Sequence, residues 1–121
     1  MDLDLNKVNK VYLAGVGGIG LSAIAYYFLH QKKEVEGSDS IKSEVTKRLE
    51  DKGVYINYTQ KADNISNNIS LFVYTSALPD DHPELAKARE LNIPVLSYFE
   101  FLGHLSKNYK TIAVTGTNGK T

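Results

Sequence analysis

The feature that most constrains the fold is a cluster of glycines between two segments of different hydrophobic period. Residues 10–14 form a short apolar run of strand-forming residues, and four glycines then follow in the pattern G-x-G-x-x-G, at Gly15, Gly17, Gly18 and Gly20. Beyond them, apolar residues recur at helical spacing, at Leu21, Ile24, Ala25, Phe28 and Leu29. A buried strand, a glycine turn and an amphipathic helix in this order predict the start of a parallel sheet.

The rest of the chain continues the alternation of strands and helices. Strands are predicted at residues 34–37, 54–57, 70–74 and 94–97, and helices at residues 43–52, from Pro83 onward, and at residues 98–106. The predicted inward faces of the last two helices are Leu85, Ala86, Ala88 and Leu91, and Phe99, Leu102 and Leu105. Residues 63–68 are polar and predict a surface loop. The pattern predicts an α/β fold, with a parallel sheet of about five strands and helices on both faces.

Composition narrows the class of protein. The 121 residues suit one compact domain, and the 14 basic residues equal the 14 acidic ones, so we expect no nucleic-acid partner. The sequence has no cysteine, which excludes a disulfide framework and a thiolate zinc site. The first residues are acidic, and no apolar stretch approaches the length of a membrane span. We therefore expect a cytoplasmic protein with no membrane partner.

The glycine loop, residues 15–20, has the residue types that a diphosphate site needs. Gly15 permits a tight turn, Gly17 lets the backbone approach a pyrophosphate, and Gly20 allows close packing of helix and strand. Backbone N–H groups at the helix start supply the positive pole. Asp39 follows the second strand near the offset expected for an acid that binds a ribose hydroxyl, and Ser38 lies beside it. The alternatives are a structural turn for the loop and a capping or turn residue for Asp39.

A second loop at residues 115–121 has the features of a nucleoside triphosphate site. It reads Thr-Gly-Thr-Asn-Gly-Lys-Thr and follows an apolar run at residues 111–114. The spacing of a standard P-loop fails, because Val114 stands where its first glycine belongs. The chemistry remains suitable, since Lys120 would reach the β- and γ-phosphates and Thr121 would bind Mg²⁺. The candidate ATP-binding residues are Gly116, Thr117, Asn118, Gly119, Lys120 and Thr121, and the candidate catalytic residues are Lys120 and Thr121.

Taken together, the two loops resemble the Mur ligase family, ATP-dependent enzymes that add amino acids to UDP-N-acetylmuramic acid in cell-wall synthesis. Residues 15–22 are similar to the opening of the member that adds L-alanine. Further matching segments follow in the same order, at residues 37–39, 43–46, 75–77, 83–84 and 93–95.

The resemblance implies a Rossmann-like domain at residues 1–106 that binds the UDP part of the substrate. Residues 107–121 would then be a linker and the start of an ATP-binding domain. The implied UDP-binding residues are Gly15, Val16, Gly17, Gly18, Ile19, Gly20, Ser38, Asp39 and Ser76. In the full-length enzyme the muramyl carboxylate would attack the γ-phosphate of ATP, and L-alanine would attack the resulting acyl phosphate, with Mg²⁺ bound at Thr121. We expect the 121-residue chain alone to need no cofactor and to be inactive.

Two departures from the family pattern leave alternatives open. Thr115 and Asn118 are typical of the later ligases of the family, which leaves open which amino acid or peptide is added. A ligase that attaches a whole peptide to the same sugar nucleotide shares this first domain and is one alternative. Ser97-Tyr98-Phe99 stands where an arginine is common in the L-alanine-adding member.

An NAD-binding sensor or dehydrogenase domain with the same glycine pattern is the other alternative. His82, within a run of polar residues, is interpreted as part of a turn that caps the following helix rather than as a metal ligand.

Overall fold

A computed structural model describes residues 4–108. They form five strands and four α-helices that alternate along most of the chain: β1 (Lys10–Ala14), α1 (Ile19–His30), β2 (Glu34–Ser38), α2 (Glu44–Asp51), β3 (Tyr55–Asn57), β4 (Leu71–Tyr74), α3 (Pro83–Glu90), β5 (Val95–Ser97) and α4 (Tyr98–Asn108). Two short 3₁₀ helices, Leu5–Lys7 and Ala62–Asn64, complete the elements. Every predicted strand and helix within residues 4–108 is present, with boundaries shifted by one or two residues.

The five strands form one parallel sheet in the order β3-β2-β1-β4-β5. The strand order reverses between β1 and β4, and Ala14 at the end of β1 lies in register with Ser38 on one side and Tyr74 on the other. In open α/β sheets, ligands bind outside the carboxyl ends of the strands at this reversal. The topology therefore places the glycine loop, which follows β1 directly, at the edge where ligand binding is expected.

Helices cover both faces of the sheet, as predicted, but unequally. Successive residues of β1 point to opposite faces, so Leu13 packs with α1, α2 and α4 whereas Tyr12 packs with α3. The larger core contains Leu21, Phe28, Leu49 and Phe101, and the smaller one contains Phe72, Leu85 and Ala88. The α/β fold with a five-stranded parallel sheet is confirmed.

The inward face of α4 differs from the prediction. Phe99 and Leu102 were expected to be buried, but their side chains are 66% and 36% exposed. Phe101 is buried instead, with its ring centroid 5.6 Å from that of Phe28 in α1. The reason is that α4 begins at Tyr98, immediately after β5, so the direction of the strand sets the rotation of the helix. Apolar spacing alone could not determine this rotation.

The predicted inward face of α3 is also wrong at one position. Ala86 is exposed, while Glu84, which helical periodicity assigned to no face, is completely buried. None of the helices in residues 4–108 has the length and apolar composition needed to cross a bilayer.

Candidate functional site

The glycine loop forms the tight turn that the sequence predicts between β1 and α1. Gly15 has a φ of +94°, a conformation that residues with a side chain rarely adopt. A Cβ atom at this position would lie 2.8 Å from the side-chain methyl of Thr75, which follows β4. The loop is therefore packed against the carboxyl end of β4, at the reversal of strand order.

Most N–H groups of the loop are already hydrogen-bonded within the protein. Gly15 and Val16 both donate to the main-chain oxygen of Ser38, at 2.8 and 2.9 Å. Gly17 donates to Oδ2 of Asp39 at 2.8 Å, and Gly18 donates to the main-chain oxygen of Gly15 at 3.0 Å. Ser38, the last residue of β2, and Asp39, the residue after it, thus accept hydrogen bonds from three consecutive N–H groups of the loop.

The start of α1 supplies the remaining donors of the predicted site. The first N–H groups of a helix have no acceptor within the helix, and the N-cap residue Gly18 has no side chain to cap them. Gly18 and Ile19 are exposed at this point, and the side chain of Ile19 is 92% exposed. A diphosphate contact along residues 16–20 stays a prediction. Within that segment, the N–H groups of Ile19 and Gly20 are the best placed for it.

The side chain of Ser38 is buried within the protein. Its side chain was expected to line a ribose, but it is fully buried and its hydroxyl donates a hydrogen bond to Glu84. It also accepts one from Nε2 of Gln60 at 3.1 Å. Strand alternation explains this placement, because Ser38 faces the same side of the sheet as Tyr12. Its contribution to the loop comes from the main-chain oxygen instead.

Asp39 and Ser76 occupy positions consistent with the predicted rim of a site. Asp39 is half-buried, with Oδ2 on Gly17 and Oδ1 accepting from the N–H of Ile41 at 3.0 Å. A carboxylate oxygen accepts more than one hydrogen bond, so both oxygens keep capacity for a ligand hydroxyl. Ser76 is exposed beyond the end of β4, next to the residue that contacts Gly15. Ligand contacts by Asp39 and Ser76 stay predictions.

Two glycines of the loop pack closely against other parts of the protein. A Cβ atom at Gly17 would lie 2.7 Å from Oδ2 of Asp39 and 3.0 Å from the methyl of Thr46 in α2. A Cβ atom at Gly20 would lie 2.6 Å from the ring of Tyr98 in α4. A side chain at Gly17 would therefore meet Asp39, which follows β2, and Thr46 in α2. A side chain at Gly20 would meet α4, whereas the prediction placed the close contact of Gly20 with the strand.

A buried polar network beneath the loop was not found from the sequence. Glu84 accepts hydrogen bonds from the hydroxyls of Tyr12 and Ser38 and from Nδ2 of Asn64. Burial, together with the adjacent carboxylate of Glu84, raises the pKa of Tyr12 above its ordinary value. The segment Pro83-Glu84 was noted in the sequence, but helical spacing could not reveal that its acid is buried.

Gly37 is a further position that the sequence reasoning overlooked. A Cβ atom there would lie 2.6 Å from the main-chain oxygen of Leu13 and 3.0 Å from the side chain of Val16. Only a glycine on β2 leaves room for the glycine loop to fold back over the strand. A glycine within a predicted strand is the signal that could have indicated such a close approach.

The structure also tests the role predicted for His82. His82 caps α3, because its Nδ1 accepts a hydrogen bond from the N–H of Glu84 at 3.2 Å, as predicted. Residues 4–108 contain no cluster of three potential metal ligands.

The second glycine loop, with Lys120 and Thr121, lies outside the described residues. Helix α4 extends to Asn108, two residues into the segment predicted to be the linker, and the domain boundary stays a prediction.

Comparisons with known proteins agree on one family. A family model described as "Mur ligase family, catalytic domain" matches residues 10–110. The chain is 46% identical over 122 residues to UDP-N-acetylmuramate–L-alanine ligase of Clostridium kluyveri, an alignment that covers 100% of this chain and 27% of that protein.

Solved structures give the same result for the fold. The UDP-N-acetylmuramate-alanine ligase MurC from Thermotoga maritima superposes with a TM-score of 0.77 and 31% identity, over 82% of this chain and 23% of that one. A UDP-N-acetylmuramate:L-alanyl-gamma-D-glutamyl-meso-diaminopimelate ligase from Neisseria meningitides superposes with a TM-score of 0.72, over 84% of this chain and 31% of that one. Its identity of 18% shows likeness of fold alone.

The chain spans about a quarter of the length of the curated relatives that it matches. The family match nevertheless covers most of the chain and includes the glycine loop and the whole sheet. It therefore favours the Mur ligase family over an NAD-binding domain, the other class of protein that the glycine pattern left open. By sequence and by fold, this chain belongs to the Mur ligase family.

Proposed function

We propose that this chain is the UDP-N-acetylmuramate-binding part of an ATP-dependent ligase that joins L-alanine to that sugar nucleotide. The observation that carries the proposal is the position of the glycine loop, at the reversal of strand order with the exposed first turn of α1 beside it. The N–H groups and dipole of a helix start favour phosphate groups. The 46% identity to an L-alanine ligase supports this choice of substrate.

The described residues suit distinct parts of such a ligand. The N–H groups of Ile19 and Gly20 would donate to the diphosphate, since those of residues 15–18 are already bonded within the protein. Asp39 would accept a hydrogen bond from a ribose hydroxyl through the free capacity of its carboxylate. Ser76, exposed beyond β4, would contact the uridine.

The chemical step belongs to a different part of the protein. The loop at residues 115–121 would bind ATP, with Lys120 near the transferring phosphoryl group and Thr121 as a ligand of Mg²⁺. The muramyl carboxylate would form an acyl phosphate, and the amine of L-alanine would displace the phosphate to form the amide. We expect an enzyme that uses these substrates to work in the cytoplasm.

Titration calorimetry on the full-length protein tests the binding role. We expect UDP-N-acetylmuramate to bind and NADH to give no heat of binding. Binding of NADH alone would contradict the proposal.

A second assay tests which acceptor is used. With ATP and UDP-N-acetylmuramate present, we expect phosphate release to require L-alanine. Release that requires instead the tripeptide L-alanyl-γ-D-glutamyl-meso-diaminopimelate would identify a peptide-attaching ligase. The 121-residue chain should release no phosphate under either condition, and turnover by it would show that the active site lies elsewhere.

A further inference from the structure

Glu84 is a buried carboxylate whose position is set by three separate segments of the chain. Its side chain is fully buried at the start of α3. Tyr12 of β1 and Asn64 of the β3–β4 connection donate to Oε2 at 2.8 and 2.7 Å, and Ser38 of β2 donates to Oε1. The ion pairs within residues 4–108 involve other carboxylates. Hydrogen bonds and the start of α3 are therefore the groups that stabilise its charge.

One of these three donors leads directly to the glycine loop. The hydroxyl of Ser38 binds Glu84, and the main-chain oxygen of the same residue binds the N–H groups of Gly15 and Val16. The next residue, Asp39, binds the N–H of Gly17. Any shift of Ser38 would therefore move the acceptors of three consecutive loop residues.

We propose that Glu84 is a positioning residue for the candidate diphosphate site. Through Ser38 it sets the place of the glycine loop and hence of the first turn of α1, without itself contacting the ligand. A fully satisfied buried network of this kind is rigid, because displacement of one member leaves others without partners. The inference rests on the proposed function for the identity of the ligand.

Three single variants of the full-length protein test this role. Ser38→Ala removes the hydroxyl but leaves the main-chain oxygen, and Glu84→Gln keeps the shape but removes the charge. Ala88→Gly is the matched control, because Ala88 is buried in the same helix as Glu84 but has no polar side-chain atom with which to join the network. For each variant, the dissociation constant of UDP-N-acetylmuramate is measured by calorimetry and the free energy of unfolding by urea.

We expect Ser38→Ala and Glu84→Gln to weaken binding about tenfold, the change that loss of one hydrogen bond to a charged group produces. Ala88→Gly should destabilise the protein but leave the dissociation constant unchanged. The double variant of Ser38 and Glu84 should bind no more weakly than the weaker single variant, since both act through one contact.

Two results would overturn the inference. One is unchanged affinity in Ser38→Ala and Glu84→Gln; the other is a loss of affinity in Ala88→Gly equal to theirs, which a purely structural role predicts. If Glu84→Gln does not fold, the comparison of Ser38→Ala with Ala88→Gly decides. Failure of the unmodified protein to bind the sugar nucleotide would contradict the proposed function instead.

Discussion

The carboxylate of Asp39 accepts a hydrogen bond from the main-chain N–H of Gly17 at 2.8 Å, so the second strand and the glycine loop are joined at the candidate site. From the sequence, Asp39 was expected to bind the ribose of a ligand and Gly17 its diphosphate. Because of this contact, the N–H of Gly17 already has an acceptor within the protein before any ligand binds to the loop. Changes at either residue therefore affect both the loop and the ligand.

Replacement of Asp39 by alanine tests whether the carboxylate binds a ribose as well as the loop. We expect Asp39→Ala to weaken UDP binding by about tenfold or more, because hydrogen bonds to a charged group are lost. It should also reduce the preference for UDP over 2′-deoxy-UDP, measured by calorimetry in the full-length protein. An unchanged preference would show that Asp39 binds only the loop.

Valine substitutions at Gly17 and Gly18 separate folding from binding. Gly17→Val should destabilise the protein by about 1–3 kcal/mol, because the new side chain meets Asp39 and Thr46. Gly18 is exposed and has extended backbone angles, with φ −71° and ψ 156°, and a Cβ atom there approaches only the main-chain oxygen of Gly15, at 3.3 Å.

Gly18→Val should therefore keep most of the stability and lose affinity for UDP-N-acetylmuramate, because its side chain lies at the start of α1. Urea unfolding and calorimetry on both variants check this contrast. Normal affinity in Gly18→Val would move the ligand away from the first turn of α1.

The contact between Gly20 and Tyr98 predicts a compensating pair of substitutions. Gly20→Ala should cost about 1–3 kcal/mol in the free energy of unfolding, because its Cβ atom would lie 2.6 Å from the ring of Tyr98. Tyr98→Leu should reduce that cost when both changes are combined, since the ring is then absent. A double-mutant cycle by urea unfolding gives the coupling. Additive effects would mean that the two residues do not meet.

The buried hydroxyl of Tyr12 predicts a dependence of stability on alkaline pH. Its pKa is raised in the folded protein, so its contribution to stability is complete below the unfolded pKa of about 10 and is lost as the pH rises further. At pH 8, Tyr12→Phe should cost about 1.5–3 kcal/mol, because Glu84 loses one donor.

Above pH 10 the difference between the two proteins should shrink by about 1.4 kcal/mol per pH unit. Urea unfolding at pH 8 and pH 11 measures this difference in the free energy of unfolding. A constant difference would mean that Tyr12 titrates normally in the folded protein.

Two glycines outside the site form a matched test of the role of backbone conformation. Gly103 lies inside α4 with open space around a Cβ atom, so Gly103→Ala should stabilise the protein by about 0.5–1 kcal/mol. Gly53 ends α2 with a φ of +104°, so Gly53→Ala should destabilise it although it too has space. Thermal unfolding compares them, and stabilisation by both would contradict the backbone argument.

Local sequence was sufficient to predict the elements and the glycine turn. The change of hydrophobic period around residues 15–20 located β1 and α1, and a positive φ at Gly15 bears out the turn. Side-chain chemistry at His82 also identified the cap of α3 correctly. These features depend on contacts between residues close in the chain, which a sequence pattern contains.

The candidate site was only partly predictable. The glycine loop and Asp39 were identified, but the direction of the Ser38 side chain and the burial of Glu84 were not. Strand alternation shows that Ser38 faces one side of the sheet, yet it does not say which side α3 covers.

The amino-acid sequence alone was enough to predict the alternation of strands and helices, the family, and the loop at which a ligand is expected. The tertiary structure alone decided that Ser38 and Asp39 bind the loop, that Gly20 packs against Tyr98, and that Phe101 rather than Phe99 enters the core. The physical reason is distance along the chain. Hydrophobic period and turn chemistry act over a few residues, whereas these contacts join residues 22 to 78 positions apart, and their geometry exists only once the sheet has formed.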